Sequence, residues 1–224
     1  GGGGVVFNTT NTTALTAYSG VISGNGSVSK QGVGNLVLSG NNTYTGNTTV
    51  NAGVLIAGVN TTSPVFNATT GTYTFASAAL GMSTIKVLSG ASFNPNAKYI
   101  YNPIEIAGTG AAGSSGALWS QPSATSVSAM YGDITLMANN TQLGSSYTSA
   151  GFGSTLSIYG DVKSLAGNSY GFSTAGTEFV SLYGGKSITG NISVGNGFTF
   201  QLLANGANAT FTNNFTVASG SRLH

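Results

Sequence analysis

Residues Ile22–Leu55, ISGNGSVSKQGVGNLVLSGNNTYTGNTTVNAGVL, decide how this chain reads. Apolar and polar residues alternate in short runs: Ser27-Val28-Ser29-Lys30, Asn35-Leu36-Val37-Leu38-Ser39, Thr48-Thr49-Val50-Asn51 and Gly53-Val54-Leu55. Gly and Asn separate the runs at regular intervals. A period of two indicates strands with one buried face, and Gly/Asn clusters mark tight turns between them. Strands this short cannot hold a core alone. They become stable when each turn of chain stacks on the next, so the pattern predicts an all-β fold, a parallel β-helix or β-solenoid.

The same stretch resembles the autotransporter-associated β-strand repeat of bacterial passengers and large exported β-helix proteins. The residues carrying the resemblance are Gly24, Gly26, Lys30, Gly32, Gly34, Leu36, Leu38, Ser39 and Gly40, followed by Asn42-Thr43-Tyr44-Thr45-Gly46, Thr48-Thr49-Val50-Asn51-Ala52-Gly53 and Leu55. The resemblance implies a single-stranded, right-handed parallel β-helix, secreted or on the cell surface, with a structural or adhesive role. It carries over no catalytic residue, because the repeat has none.

Composition narrows the function classes. Of 224 residues only 4% are charged, against about 25% in an ordinary domain. Mean hydropathy is nevertheless just +0.17, so the surface must be polar and uncharged, built from Asn, Thr, Ser and Gly. With few titrating groups, stability should respond weakly to pH and salt. Lys30, Lys86, Lys98, Lys163, Lys186 and Arg222 are scattered singly. Nucleic-acid binding needs clustered cations, so it is excluded as a partner class. There is no Cys, and no apolar run is long enough for a transmembrane helix. The start, Gly1-Gly2-Gly3-Gly4, has neither an initiator Met nor a signal pattern, and reads as a processed or excised product whose export signal has been removed. Asn8, Asn11, Asn47, Asn60, Asn67, Asn191, Asn208 and Asn214 stand in Asn-x-Ser/Thr triplets. An Asn- and Thr-rich chain makes such triplets by chance.

One domain over residues 1–224 is expected, with the repeat at 22–55. Val5-Val6-Phe7 and Ala14–Tyr18 read as strands of an entry coil. Residues 58–103 are less regular, with Thr72–Phe75 and Thr84–Leu88 strand-like; Leu88-Ser89-Gly90 echoes Leu38-Ser39-Gly40. The Gly/Ser/Ala-rich stretch 108–128, with Trp119 and Pro122, reads as a loop leaving the solenoid. Regular coils return over 133–224. Thr135–Thr141 parallels Val37–Thr43, and Leu156-Ser157-Ile158-Tyr159-Gly160 recurs 24 residues later as Val180-Ser181-Leu182-Tyr183-Gly184. Ile192–Val194, Phe198–Phe200, and Phe211 to Val217 continue the pattern. Coils of 20 to 25 residues give roughly nine or ten, and at ~4.8 Å each a rod of about 45 Å. Val, Leu, Ile and Phe should stack in ladders inside, with Asn amides bonding one another in the turns.

Catalytic and metal sites find little material. The carboxylates are Glu105, Asp133, Asp161 and Glu178, and the one His is His224. Polysaccharide-cleaving sites need clustered acids, often with Ca²⁺; here Asp161 and Glu178 are 17 residues apart and Asp133 lies 28 before Asp161, so at most two of them could meet on one face. The Gly-rich Gly184-Gly185-Lys186 and Gly195-Asn196-Gly197 lack the Asp of calcium-binding repeats. No catalytic, cofactor or metal residue is assigned, and a non-enzymatic protein is expected. Aromatic residues are the remaining candidates. Tyr99, Tyr101, Trp119, Tyr131, Tyr147, Tyr159, Tyr170 and Tyr183 could form a carbohydrate-stacking strip, with Trp119 the most exposed. The structural alternative is that Tyr159 and Tyr183 stack on each other along the rod while Phe residues fill the core.

Neither end shows a capping pattern, and near-zero charge removes the repulsion that keeps chains apart. The expected function is therefore a structural extracellular subunit that joins its own copies end to end, as a filament or surface layer. The alternative is an adhesin or autotransporter passenger stalk that binds a host or matrix partner, such as a cell-surface polysaccharide.

Overall fold

A strand of three to five residues satisfies its backbone groups only by pairing on both edges, and a helical path supplies that pairing by laying each coil on the last. The computed structural model describes residues 3–121, 126–146, 154–183, 188–195, 198–203 and 214–224. The first coil holds β1 (Val5–Asn8) and β2 (Leu15–Tyr18), the second β3 (Val28–Gln31) and β4 (Asn35–Leu38). The third holds β5 (Thr48–Val50) and β6 (Gly53–Ala57), then β7 (Val65–Asn67) and β8 (Thr72–Thr74). The fourth has β9 (Ile85–Val87), β10 (Ala91–Asn94) and β11 (Tyr99–Ile100); the fifth has β12 (Ile104–Ile106), β13 (Leu118–Ser120) and β14 (Ser126–Met130). The sixth has β15 (Ile134–Leu136), β16 (Thr141–Ser145) and β17 (Ser154–Ile158); the seventh has β18 (Val162–Ser164), β19 (Phe172–Gly176) and β20 (Phe179–Tyr183). β21 (Ile192–Val194) and β22 (Thr199–Leu203) form the eighth, and β23 (Phe215–Val217) with β24 (Arg222–Leu223) the ninth.

All of these strands but β7 and β8 stack into three parallel sheets. Sheet A runs β1-β3-β5-β9-β12-β15-β18, sheet B runs β2-β4-β6-β10-β13-β16-β19-β21-β23, and sheet C runs β11-β14-β17-β20-β22-β24. The fold is an all-β parallel β-solenoid, as the alternation in Ile22–Leu55 predicts. The nine-stranded sheet B agrees with the expected nine or ten coils.

Register follows the inward residues. Leu36 pairs with Leu55, Leu55 with Phe93, Phe93 with Leu118 and Leu118 with Leu143, all without solvent contact. Sheet A adds Val28, Thr48, Ile85, Ile104, Ile134 and Val162 in line. Truncating any one apolar rung to Ala would cost about 2–5 kcal/mol. Gly53 sits at φ 66° where the chain turns from sheet A into sheet B. A methyl there would strike the carbonyl of Gly34 on the coil below, so the repeat needs Gly at that position.

Several expectations are corrected. The stretch 108–128 does not leave the solenoid as one loop: β13 lies inside it as a fully buried strand of sheet B and β14 begins at Ser126, while Pro122 lies outside the described residues. Small residues made the segment look like a linker, but they fit where coils approach closely. The excursion is instead the antiparallel hairpin β7–β8, which lengthens the step from Thr48 to its partner Ile85 to 37 residues. Two sequence echoes are not equivalent. Leu38 is buried at the end of a sheet B strand, whereas Leu88 is an exposed turn residue. Thr135-Leu136 belongs to sheet A and Val37-Leu38 to sheet B. The echo of Leu156–Ile158 in Val180–Leu182 is true register. Among the described residues, asparagines that join coils bond backbone groups or serine hydroxyls rather than each other. Asn42 Oδ1 accepts the Ile22 N–H at 2.8 Å and its Nδ2 donates to the Ala79 carbonyl at 2.6 Å. Lys186, Asn208, Phe211 and Tyr147 lie outside the described residues.

Candidate functional site

The strands of sheet C end on aligned residues. Ile100 pairs with Met130, Met130 with Ile158, and Ile158 with Leu182. Each is followed by a tyrosine, and the register places Tyr101, Tyr131, Tyr159 and Tyr183 one above another. Their rings are stacked: Tyr101 on Tyr131 at 4.4 Å and 5°, Tyr131 on Tyr159 at 4.7 Å and 8°, Tyr159 on Tyr183 at 4.4 Å and 16°. Offset stacks of this kind contribute about 0.5–1.5 kcal/mol each beyond area burial. The residues after Tyr131 and Tyr159 are Gly132 and Gly160, and a Cβ at Gly160 would collide with the carbonyl of Gly132. The close coil spacing that brings the rings together therefore depends on these glycines.

The hairpin leans on this ladder. Tyr73 of β8 meets Tyr101 edge-on at 4.8 Å and Tyr131 at 6.4 Å, and Phe66 of β7 packs on Tyr73 at 5.0 Å. Burial, reinforced by the neighbouring phenols, pushes the Tyr101 and Tyr159 hydroxyls above their ordinary pKa, so both stay protonated at neutral pH.

Between hairpin and ladder lies a cleft of about 220 Å³, lined by Tyr73, Tyr101, Tyr131, Asp133, Thr135 and Lys163 among others. Asp133 Oδ2 takes a 2.7 Å ion pair from Lys163 Nζ, and Oδ1 accepts the Asp161 backbone N–H at 3.0 Å. The two aspartates thus occupy adjacent coils, with Asp133 held by a cation and an amide. Glu105 pairs with Lys86 on the outer face of sheet A at 2.9 Å. Among the described residues no group of three His, Cys, Asp or Glu could hold a metal ion. What the cleft offers chemically is aromatic surface, phenol and threonine hydroxyls, and one fixed ion pair.

The expected aromatic strip is therefore partly assembled. Tyr101, Tyr131, Tyr159 and Tyr183 come together; Tyr99 is exposed but outside the stack, and Tyr170 packs against the core elsewhere. Trp119 is not the exposed contact expected of it. It is 5% exposed on the outer face of sheet B, in a groove with Val54 and Ile56, because β13 is a strand rather than a loop. Phe93, Phe172, Phe198 and Phe200 are core residues. Tyr73 went unrecognised as a partner of the ladder. The ladder itself had a readable signal: Met130-Tyr131-Gly132-Asp133 and Ile158-Tyr159-Gly160-Asp161 repeat the same four-residue pattern.

The repeat has its own buried device. Lys30 points into the coil, and its ammonium donates to the carbonyls of Gln31, Gly32 and Ala52 at 3.0, 2.7 and 2.9 Å. Burial lowers its pKa from 10.5 to about 8. Residues 28–57, spanning β3 to β6, match the family model described as passenger-associated-transport-repeat. The chain carries a passenger-type repeat. The match overlaps the resemblance read over 22–55 and covers the turn from sheet A to sheet B twice. Comparisons with curated proteins and with solved structures found no match.

Proposed function

We propose that this chain is a non-enzymatic structural solenoid of the exported passenger type, a stiff stalk at the cell surface built by stacking coil on coil. The observation that carries this reading is the position of the repeat: residues 28–57 form the second and third coils of an unbroken register, not a separate module. The first coil exposes Val5, Val6 and Leu15, and the last exposes Val217 and Leu223. Inward apolar side chains on such coils suit the stacking of a further coil against them. With so little charge to hold copies apart, stacking of copies coil on coil would give an end-to-end filament.

Electron microscopy of the purified chain at low and high salt tests the self-assembly. Filaments should persist in high salt, because so few charges are present. Single short rods would reject assembly from copies. Fusion of the chain ahead of an outer-membrane β-barrel tests the passenger role; failure to appear folded on the cell surface would reject it.

A second reading is favoured by the tyrosine cleft: adhesion to a neutral polysaccharide through aromatic stacking and hydroxyl bonding. Titration with neutral hexose oligosaccharides should give binding that Tyr73→Ala weakens. Equal affinity in the variant would remove the cleft from consideration.

A further inference from the structure

The ladder places four phenols in parallel contact on a chain that contains no cysteine. We propose that it is an oxidative cross-linking site, at which a peroxide-driven, haem-peroxidase type of oxidation joins Tyr101 to Tyr131 and Tyr159 to Tyr183 as dityrosine. In each coupling two phenols lose one electron and one proton apiece, giving two phenoxyl radicals. A carbon–carbon bond then forms between ring carbons ortho to the hydroxyls. The two ortho hydrogens shift to the oxygens as the rings regain aromaticity, so both hydroxyls are restored. The two electrons and two protons convert one hydrogen peroxide to two waters.

Three observations carry the assignment. The rings of these two pairs lie at 4.4 Å and within 16° of parallel, closer than the 4.7 Å between Tyr131 and Tyr159. The phenol groups along the stack also raise one another's pKa, so their hydroxyl ends lie close together. Tyr159 is 40% exposed, which lets an oxidant reach the stack. Fixed proximity turns a normally bimolecular radical coupling into an intramolecular one, and this decides between coupling within the ladder and coupling between chains. Tyr73 crosses the stack at 69–70° and Tyr99 lies outside it, so neither shares this parallel geometry.

The products would tie the fourth coil to the fifth and the sixth to the seventh. Such links act as disulfides do, by restricting the unfolded chain across loops of 30 and 24 residues. They would supply covalent strength to a stalk that has no thiols.

The test treats the dilute purified chain with hydrogen peroxide and a haem peroxidase, then reads dityrosine fluorescence, gel mobility and linked peptides by mass spectrometry. Monomeric protein should gain dityrosine, its linked peptides pairing Tyr101 with Tyr131 and Tyr159 with Tyr183, and its Tm should rise by about 5–10 °C. Tyr183→Phe keeps a ring in the stack but cannot form a phenoxyl radical. It should abolish the second link, leave the first, and barely move the Tm of the unoxidised protein. Links found only between molecules, a Tyr131–Tyr159 link in place of the two assigned pairs, or oxidation without dityrosine in the monomer would each overturn the proposal.

Discussion

The coils that carry the repeat and the coils that carry the tyrosines are the same solenoid held sideways by different means. In the second and third coils the steps are short, Val28 to Thr48 and Asn35 to Val54, and sheet C has no strand. The third side of these coils is then a segment outside any strand, although its backbone still pairs from coil to coil: the Thr43 N–H bonds the Ile22 carbonyl, the Thr45 N–H that of Gly24 and the Met82 N–H that of Tyr44. Buried side chains add to that pairing: Asn42 bonds the coils on either side, and Thr48 Oγ1 donates to the Leu80 carbonyl at 2.7 Å and meets the Tyr44 hydroxyl at 2.5 Å, while Lys30 ties carbonyls at the turns from sheet A to sheet B. From the fourth coil onward sheet C pairs the backbone itself. A buried polar plug persists beside Tyr101, where Asn102 donates to the Gly81 and Ser83 carbonyls, and stacked aromatics line the outer corner from there on. The lesson is that irregular pairing on the third side is reinforced by buried polar side chains, whereas regular sheet pairing there aligns the residues after each strand into a ladder of rings.

The largest effect should come from Asn42→Leu, which keeps the shape and leaves the Ile22 N–H and the Ala79 carbonyl buried without partners. A loss of about 3–5 kcal/mol is expected from urea denaturation. A cost below about 1 kcal/mol would show that the third side of these coils does not depend on the plug.

Lys30→Met should cost about 2–3 kcal/mol, since three carbonyls lose a donor while a desolvated charge is removed. It should also change the pH profile. The folded pKa of Lys30, about 8, lies below its ordinary 10.5. The unfolded chain therefore holds more protons between these values, and stability gains from Lys30 as pH rises through that window. Burial raises the phenol pKa of Tyr44, Tyr101 and Tyr159, so their contribution is complete below the ordinary 10.0 and declines above it. The wild-type midpoint should climb from about pH 7.5 to about 9.5 and then fall. In Lys30→Met the climb should vanish and the fall remain; an unchanged climb would take the effect away from Lys30. The weak pH response expected from composition thus holds only away from this alkaline range.

On the tyrosine side, Tyr131→Ala removes two stacked contacts and should cost about 2 kcal/mol, with Tyr131→Phe close to neutral. If Phe is as damaging as Ala, the hydroxyls rather than the rings hold the corner. The smallest effect belongs to Lys163→Ala. Its ion pair with Asp133 is partly exposed, so the change should stay below about 1 kcal/mol and shrink further in salt.

Much of this was legible in the chain. The alternation in Ile22–Leu55 specifies strands and turns because period two has one physical solution when every second residue must be buried. The recurrence of Leu156–Gly160 as Val180–Gly184 likewise fixed the stacking of Tyr159 on Tyr183. Other features depend on which coil lies next door. Residues 58–103 contain strand-like runs, yet nothing local says that Val65–Thr74 turns back on itself while Ile85–Val87 rejoins sheet A. Leu118–Ser120 is hidden among small residues, so Trp119 looked like a loop residue although its strand pairs on both sides.

The sequence by itself determined the all-β solenoid, the approximate coil number, the passenger-type repeat and the apolar inner face. These follow from local periodicity and from the turn chemistry of Gly and Asn. Only the tertiary structure decided that Tyr73 crosses to a ladder begun nearly thirty residues later, that Lys30 and Asn42 tie neighbouring coils through buried backbone groups, and that Tyr101 and Tyr131 share the corner of Tyr159 and Tyr183. Those contacts join residues on different coils, and their partners are set by the length of each intervening coil, which varies here with every insertion.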